Sequence, residues 1–193
     1  MAAELHPGSR QRCSASRADT SVIKIVLIGS ESTGKTELAH RLGRHFEAPV
    51  AEEFVRGYAA HRDQPLGFGD HGRIAKGQIA AEDDAIARAG HLVILDTDLV
   101  STVVYCEHYF GRAPEWIETE ARARAGQLYL LLEPDIPWQP DGVRDRGDRR
   151  DEMHQLFRNK LLHLGLRFAE ISGDGDARFH AAVRVIDAEV LAR

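Results

Sequence analysis

Residues 29–36 read Gly29-Ser30-Glu31-Ser32-Thr33-Gly34-Lys35-Thr36, a G-x-x-x-x-G-K-[ST] pattern without a mismatch. The spacing has a mechanism. The glycines let the backbone curl so that consecutive N–H groups point inward and cradle phosphate oxygens. Lys35 reaches the β- and γ-phosphates of a nucleoside triphosphate, and the Thr36 hydroxyl can sit on Mg²⁺. A helix starting at the end of the loop adds its positive N-terminus. With 17 glycines and four lysines in 193 residues, a chance match is expected in roughly 0.2% of such chains.

Three further groups of residues carry chemistry. Glu52-Glu53-Phe54-Val55-Arg56-Gly57-Tyr58 comes after a short apolar run, and a carboxylate there can orient or deprotonate a substrate hydroxyl. Glu53 is the preferred of the two glutamates, with Arg56 and Tyr58 as substrate contacts; the bland alternative is an acidic first turn of a helix. Ile94-Leu95-Asp96-Thr97-Asp98 ends an apolar run in two carboxylates. Asp96 is expected to hold Mg²⁺, directly or through water. Asp98, two residues on, is expected to share with Asp96 in a cation site or, alternatively, to act as helix N-cap for Leu99 onward. The third group is Pro134 to Asp151, with three prolines, two glycines, four arginines and five aspartates. Its length and composition predict a lid over about 137–151. Trp138 can stack on a flat ligand or anchor the loop. At least one of Arg144, Arg146, Arg149 and Arg150 is expected on phosphate. The turn Ser172-Gly173-Asp174-Gly175-Asp176 is a weaker candidate for the border of a nucleobase.

Elements that place these residues alternate along the chain. Val22–Ile28 is a β-branched run of buried-strand length, and residues 91–96 and 127–132 are equally apolar. Residues 48–51 and 166–171 are weaker strand candidates. Helical spacing covers about 35–46, 54–62, 71–89, 99–109, 114–125, 151–164 and 177–191. Strands alternating with helices predict a five-stranded parallel sheet covered on both faces. In such sheets ligands lie beyond the carboxyl ends of the strands, which is where all four groups fall.

Composition bounds the rest. The chain is 43% hydrophobic and 28% charged, as ordinary globular domains are. A net charge of −5 argues against nucleic acid as the main partner. Arginine outnumbers lysine 21 to 4, so a phosphate clamp here is expected to be arginine. Cys13 and Cys106 make no disulfide framework, and the ten histidines show no metal-ligand spacing. No run approaches the ~18 apolar residues of a membrane span. Residues 1–20 lack the apolar core of a secretory signal and read as a flexible tail, with one domain over 21–193 and a cytoplasmic location. No feature specifies an oligomeric state, and no base-reading motif separates ATP from GTP.

Together these stretches resemble the nicotinamide riboside kinase (ribosylnicotinamide kinase) domain of the bacterial trifunctional NAD-salvage protein. The resemblance rests on residues 29–36, Glu53 to Tyr58, Ile94 to Asp98, Leu132-Glu133 through Pro137-Trp138 to Asp141-Gly142-Val143-Arg144, and faintly on Asp176-Ala177-Arg178-Phe179. It implies a three-layer P-loop NTPase fold of nucleoside-kinase type. The implied activity is transfer of the ATP γ-phosphate, with Mg²⁺, to the 5′-hydroxyl of nicotinamide riboside. It further implies Lys35, Asp98, Glu53 and Arg144 as catalytic, and Glu53, Arg56, Tyr58, Asp98, Trp138 and Asp141 as substrate contacts. Tyr58 and Trp138 would be the ring-stacking pair. The residues ahead of Ser21 are too few for the nucleotidyltransferase and DNA-binding domains of that family, so neither activity is expected. A kinase for another nucleoside or small hydroxyl substrate, and an ATP-binding or ATP-hydrolysing regulatory module, are the alternatives.

Overall fold

A computed structural model describes residues 22–137 and 149–191. The predicted tail (1–20), most of the predicted lid, and with it Trp138, Asp141, Arg144 and Arg146, lie outside the described residues.

The chain order is β1 (Ile23–Ile28), α1 (Lys35–His45), β2 (Val50–Ala51), α2 (Phe54–Ala60), a 3-10 turn (Phe68–Asp70), α3 (His71–Arg88), β3 (Leu92–Asp96), α4 (Leu99–Phe110), α5 (Glu115–Ala123), β4 (Leu128–Leu132), α6 (Arg150–His163), β5 (Phe168–Ile171), α7 (Gly175–Ile186) and a final π-turn (Asp187–Leu191). The five strands form one sheet in the order β2-β3-β1-β4-β5, every neighbouring pair parallel. The expected α/β fold is the observed one. The C-terminal helix departs from its expected span: it starts at Gly175 and gives way at Asp187 to the π-turn.

Strand periodicity sorts the core into two layers, since successive side chains point to opposite faces. Val26, Ile28, Val93, Leu95, Tyr129 and Leu131 face α3, α4, α5 and α6, meeting Ala75, Val100, Val104, Ile117, Met153 and Phe157. Ile25, Leu27, Ile94, Leu128, Leu130 and Leu132 face α1 and α7, meeting Leu38, Leu42, Ala182 and Ile186. β3 and β4 are buried along their whole length, which is why they read as continuous apolar runs rather than alternating ones. β2 is two residues long and lies at the sheet edge.

The sheet is built outward from β1, to β3 and β2 on one side and to β4 and β5 on the other. The crevice beyond such a central strand is where open α/β sheets take their ligands. Among the described residues no helix is long and apolar enough to cross a membrane.

Candidate active site

The loop after β1 curls as its glycines predict. Gly29 has φ +146° and Gly34 φ +78°. A Cβ at Gly29 would stand 2.9 Å from the Leu132 carbonyl oxygen at the end of β4, so only glycine lets loop and strand approach this closely. Inside the loop, Thr33 Oγ1 donates to Ser30 O at 2.9 Å. Lys35 Nζ donates back across the curl to Gly29 O (3.0 Å) and Ser30 O (2.7 Å). Residues Ser32 to Thr36 then line a cavity of about 540 Å³, together with Arg56, Ile136, Pro137, Asp174 and Gly175. The lining holds the loop after β1, the start of the expected lid and the glycine-aspartate turn after β5.

Thr36 and Asp96 meet as the spacing suggests: Thr36 Oγ1 donates to Asp96 Oδ2 at 2.6 Å. Asp96 Oδ1 is buried without a hydrogen-bond partner among the described residues. Burial pushes the Asp96 carboxyl up, the Thr36 bond holds it down, and the negative charge of Glu53 adds to the rise. A hydroxyl beside a carboxylate with a buried unpartnered oxygen is a hard-oxygen donor set, and it fits Mg²⁺, which takes one or two protein ligands and completes its shell with phosphate and water.

Glu53 closes the other side. Its side chain is 9% exposed and accepts from Arg56 at 3.3 Å, while Glu52 is 59% exposed and faces His40. Arg56 lines the phosphate cavity, and Glu53 lines a second, smaller cavity with His71, Gln78, Thr97, Ser101 and Tyr105. The Arg56–Glu53 pair is therefore the seam between the two. The loop's own Glu31 is 4% exposed and accepts at 3.2 Å from the Oη of Tyr105, one of the residues that line this second cavity.

Asp98 is not brought to either cavity. Thr97 adopts φ +76°, a left-handed turn rare for a β-branched residue, and the two flanking aspartates go to different partners. Asp98 is 4% exposed, caps α4 by accepting from Val100 N (2.9 Å), and accepts from Tyr129 Oη at 2.6 Å. The geometry is that of the N-cap alternative. Burial pushes its carboxyl up to about 6, against the Tyr129 hydrogen bond that favours its charge. Tyr58 also stands apart from both cavity linings. Its hydroxyl donates to Asp70 at 2.9 Å and accepts from Arg62 at 3.2 Å.

Of the lid arginines, Arg149 is exposed near Glu152. Arg150 is 7% exposed and donates to Ile136 O (2.8 Å) and Ser32 O (3.2 Å). It thereby ties the start of α6 to the phosphate loop. Two buried residues had no clear signal in the sequence. Arg178 on α7, 3% exposed, donates to Thr33 O, to Glu133 O (3.1 Å) and to Asp135; only the faint Asp-Ala-Arg-Phe match pointed to it. Gln78 on α3 had none.

Residues 24–178 match the protein family described as AAA domain. Among curated proteins, the trifunctional NAD biosynthesis/regulator protein NadR of Salmonella typhimurium is 29% identical over 171 residues, covering 84% of this chain and 41% of NadR. Its counterpart from Escherichia coli is 29% identical over 169 residues, with the same coverage. The chain thus spans about two fifths of the length of these relatives. Among solved structures, NadR protein in complex with NAD and AMP-PNP superposes with TM-score 0.71 at 25% identity, over 88% of this chain and 50% of that one. Thymidylate kinase from Ehrlichia chaffeensis shares the fold, with TM-score 0.60 at 13% identity over 87% of this chain and 98% of the kinase.

Proposed function

The chain belongs to the AAA-domain family, and from that premise we propose that it is an ATP-dependent kinase that phosphorylates the 5′-hydroxyl of nicotinamide riboside, giving nicotinamide mononucleotide. One observation carries the reading: a carboxylate that is only 9% exposed, Glu53, stands beside the phosphate cradle, bonded to the Arg56 that lines it. The likeness to NadR supports the choice of substrate through that protein's role in NAD biosynthesis, and its complex with AMP-PNP supports ATP as donor.

Each residue has a task in this mechanism. The loop N–H groups and Lys35 hold the β- and γ-phosphates in line, which in phosphoryl transfer supplies most of the rate. Thr36 and Asp96 would hold Mg²⁺, which supplies charge neutralisation on the phosphates when bound. Glu53 accepts the proton of the acceptor hydroxyl as its oxygen bonds to the γ-phosphorus and the bond to the β-bridging oxygen breaks. Arg56 and the lid arginines, Arg144 among them, counter the charge on the transferring group. Asp98 fixes the start of α4, while Trp138 and Asp141 are the acceptor-side contacts that the family resemblance implies; Tyr58, also implied, is instead tied to Asp70 and Arg62.

Product analysis tests the reading. The protein is incubated with ATP, Mg²⁺ and a panel of ribosides, and phosphorylated products are resolved by mass. Nicotinamide mononucleotide as the dominant product is expected. Preferential phosphorylation of another nucleoside would replace the substrate, and ATP loss equal with and without every riboside would replace the kinase by a regulatory ATPase.

A further inference from the structure

The helix that carries Glu53 into the cleft is a weak element. α2 has seven residues and one buried side chain, Val55. A helix that short has no stability of its own, so whatever docks it decides where Glu53 stands. An N-cap residue usually satisfies the first helical N–H groups with its own side chain. Glu53 is the N-cap of α2 and makes no such bond. Gln78 of α3 holds the helix start in another way: its Oε1 accepts from the N–H of Phe54, the first helical residue, at 3.0 Å. Gln78 is 2% exposed, and its Nε2 donates at 3.4 Å to Thr97 O, in the left-handed turn between Asp96 and Asp98. One buried amide thus joins the start of α2 to the end of β3. The neighbouring residue secures the same docking from another direction, because a Cβ at Gly77 would run into the Phe54 ring.

We propose that Gln78, with the side-chain-free notch at Gly77, is the positioning residue of the acceptor side: from α3 it holds the first helical N–H of α2, at Phe54, so that the adjoining Glu53 carboxylate is held toward the cleft. The proposal rests on the reading of Glu53 as the group that accepts the hydroxyl proton. Gln78 touches neither phosphate nor the reacting oxygen in this scheme and acts through the backbone at Phe54 and Thr97. Placement of this kind is worth a great deal in transfer reactions, where about 1 Å of displacement costs on the order of a hundredfold in rate.

The test is a double-mutant cycle on the full chain with steady-state kinetics for both substrates. Q78M is expected to lower kcat for riboside phosphorylation by about tenfold to a hundredfold, with KM for ATP unchanged. Q78E keeps an oxygen for Phe54 N but loses the donor to Thr97 O, and is expected to recover part of that loss. In an E53Q background Q78M is expected to cost nothing further, because the group it positions is already disabled. Should Q78M unfold below the assay temperature, G77A, which displaces the Phe54 ring but keeps the amide, carries the same expectation. Losses from Q78M that multiply with those of E53Q, or Q78E no better than Q78M, would overturn the positioning role in favour of a purely structural one. E53Q at full turnover would instead overturn the assignment of Glu53, a separate result that Q78M alone cannot produce.

Discussion

The two sides of the cleft are held in different ways. On the donor side the phosphate loop leaves the central strand of the sheet. Two buried arginines grip its carbonyls from outside, Arg150 at Ser32 and Arg178 at Thr33. On the acceptor side Glu53 comes after a two-residue edge strand and opens a seven-residue helix, docked by the Gln78 amide, the Phe54 ring, the buried Val55 and the Tyr58–Asp70 hydrogen bond. The cavity at the phosphate loop measures about 540 Å³, whereas the one beside Glu53, at about 20 Å³, has room for about one water. A loop tied from outside by two arginines thus faces a short helix that carries Glu53, the proposed base. Local stability tracks the number of buried contacts, so damage on the two sides has different signatures.

The donor side breaks hardest at its lysine. Lys35→Met removes the ammonium that spans the loop, from Gly29 O to Ser30 O, and with it the charge expected on the β- and γ-phosphates. Loss of a single preorganised donor costs about 10²- to 10³-fold in turnover, so a fall near the upper end is expected in product formation. Activity within tenfold of the unmodified protein would show that the loop is not the donor site.

A milder injury to the same side separates binding from chemistry. Arg178→Met leaves Thr33 O without its donor and Asp135 without its cation. Asp135 is a third exposed, so the loss is that of buried hydrogen bonds rather than of a fully buried pair, about 1–3 kcal/mol. For a chain of this size that is about 2–12 °C in melting temperature. The loop should loosen, raising KM for ATP several-fold, while riboside KM changes little. That is the reverse of the Q78M signature, in which the ATP side is untouched. Equal shifts in both KM values on Arg178→Met would mean that the two sides are one mechanical unit.

The parts of this design that could be read in sequence are those made by local pattern. The β-branched runs specified the central strands, and the glycine-lysine spacing specified the loop, because each depends on neighbours a few residues away. The carboxyl ends of the strands, with the segments just beyond them, then supplied Thr36, Asp96, Glu53 and Arg56, which the structure brings around one cleft. Gln78 and Arg178 escaped because a lone polar residue on a helix reads as solvent-facing; their burial depends on partners 19 and 145 residues away. Asp98 was legible as a residue but not as a direction. Its inward turn depends on the positive φ of Thr97 and on Tyr129, which in sequence is only an apolar member of β4.

The smallest effect is expected beneath the acceptor side, where charge is buried away from both substrates. Glu82 on α3 is 1% exposed and pairs with Arg124 at 3.3 Å. Burial, with the charge of Asp98 adding to it and those of Arg124 and Lys24 opposing, pushes the Glu82 carboxyl from 4.5 up to about 7. A carboxyl whose folded pKa is raised holds its proton more tightly in the folded state. Its stabilising contribution is complete below the unfolded value of 4.5 and is lost as pH rises through about 7. Melting temperature should therefore fall between about pH 5 and 8, by an amount corresponding to at most about 3 kcal/mol from this group. Glu82→Gln keeps an oxygen for Arg124 and carries no titrating proton, so the variant should show a flatter profile and a higher melting temperature than the unmodified protein at about pH 8. KM for ATP should not move, since Glu82 lies against Arg124 and not against the phosphate loop. If instead the slope survives in the variant, the proton belongs to another buried carboxyl of the same layer. Asp98, pushed up to about 6, is then the one whose replacement by asparagine should flatten it, and the N-cap of α4 would be the pH-sensitive joint under the acceptor side.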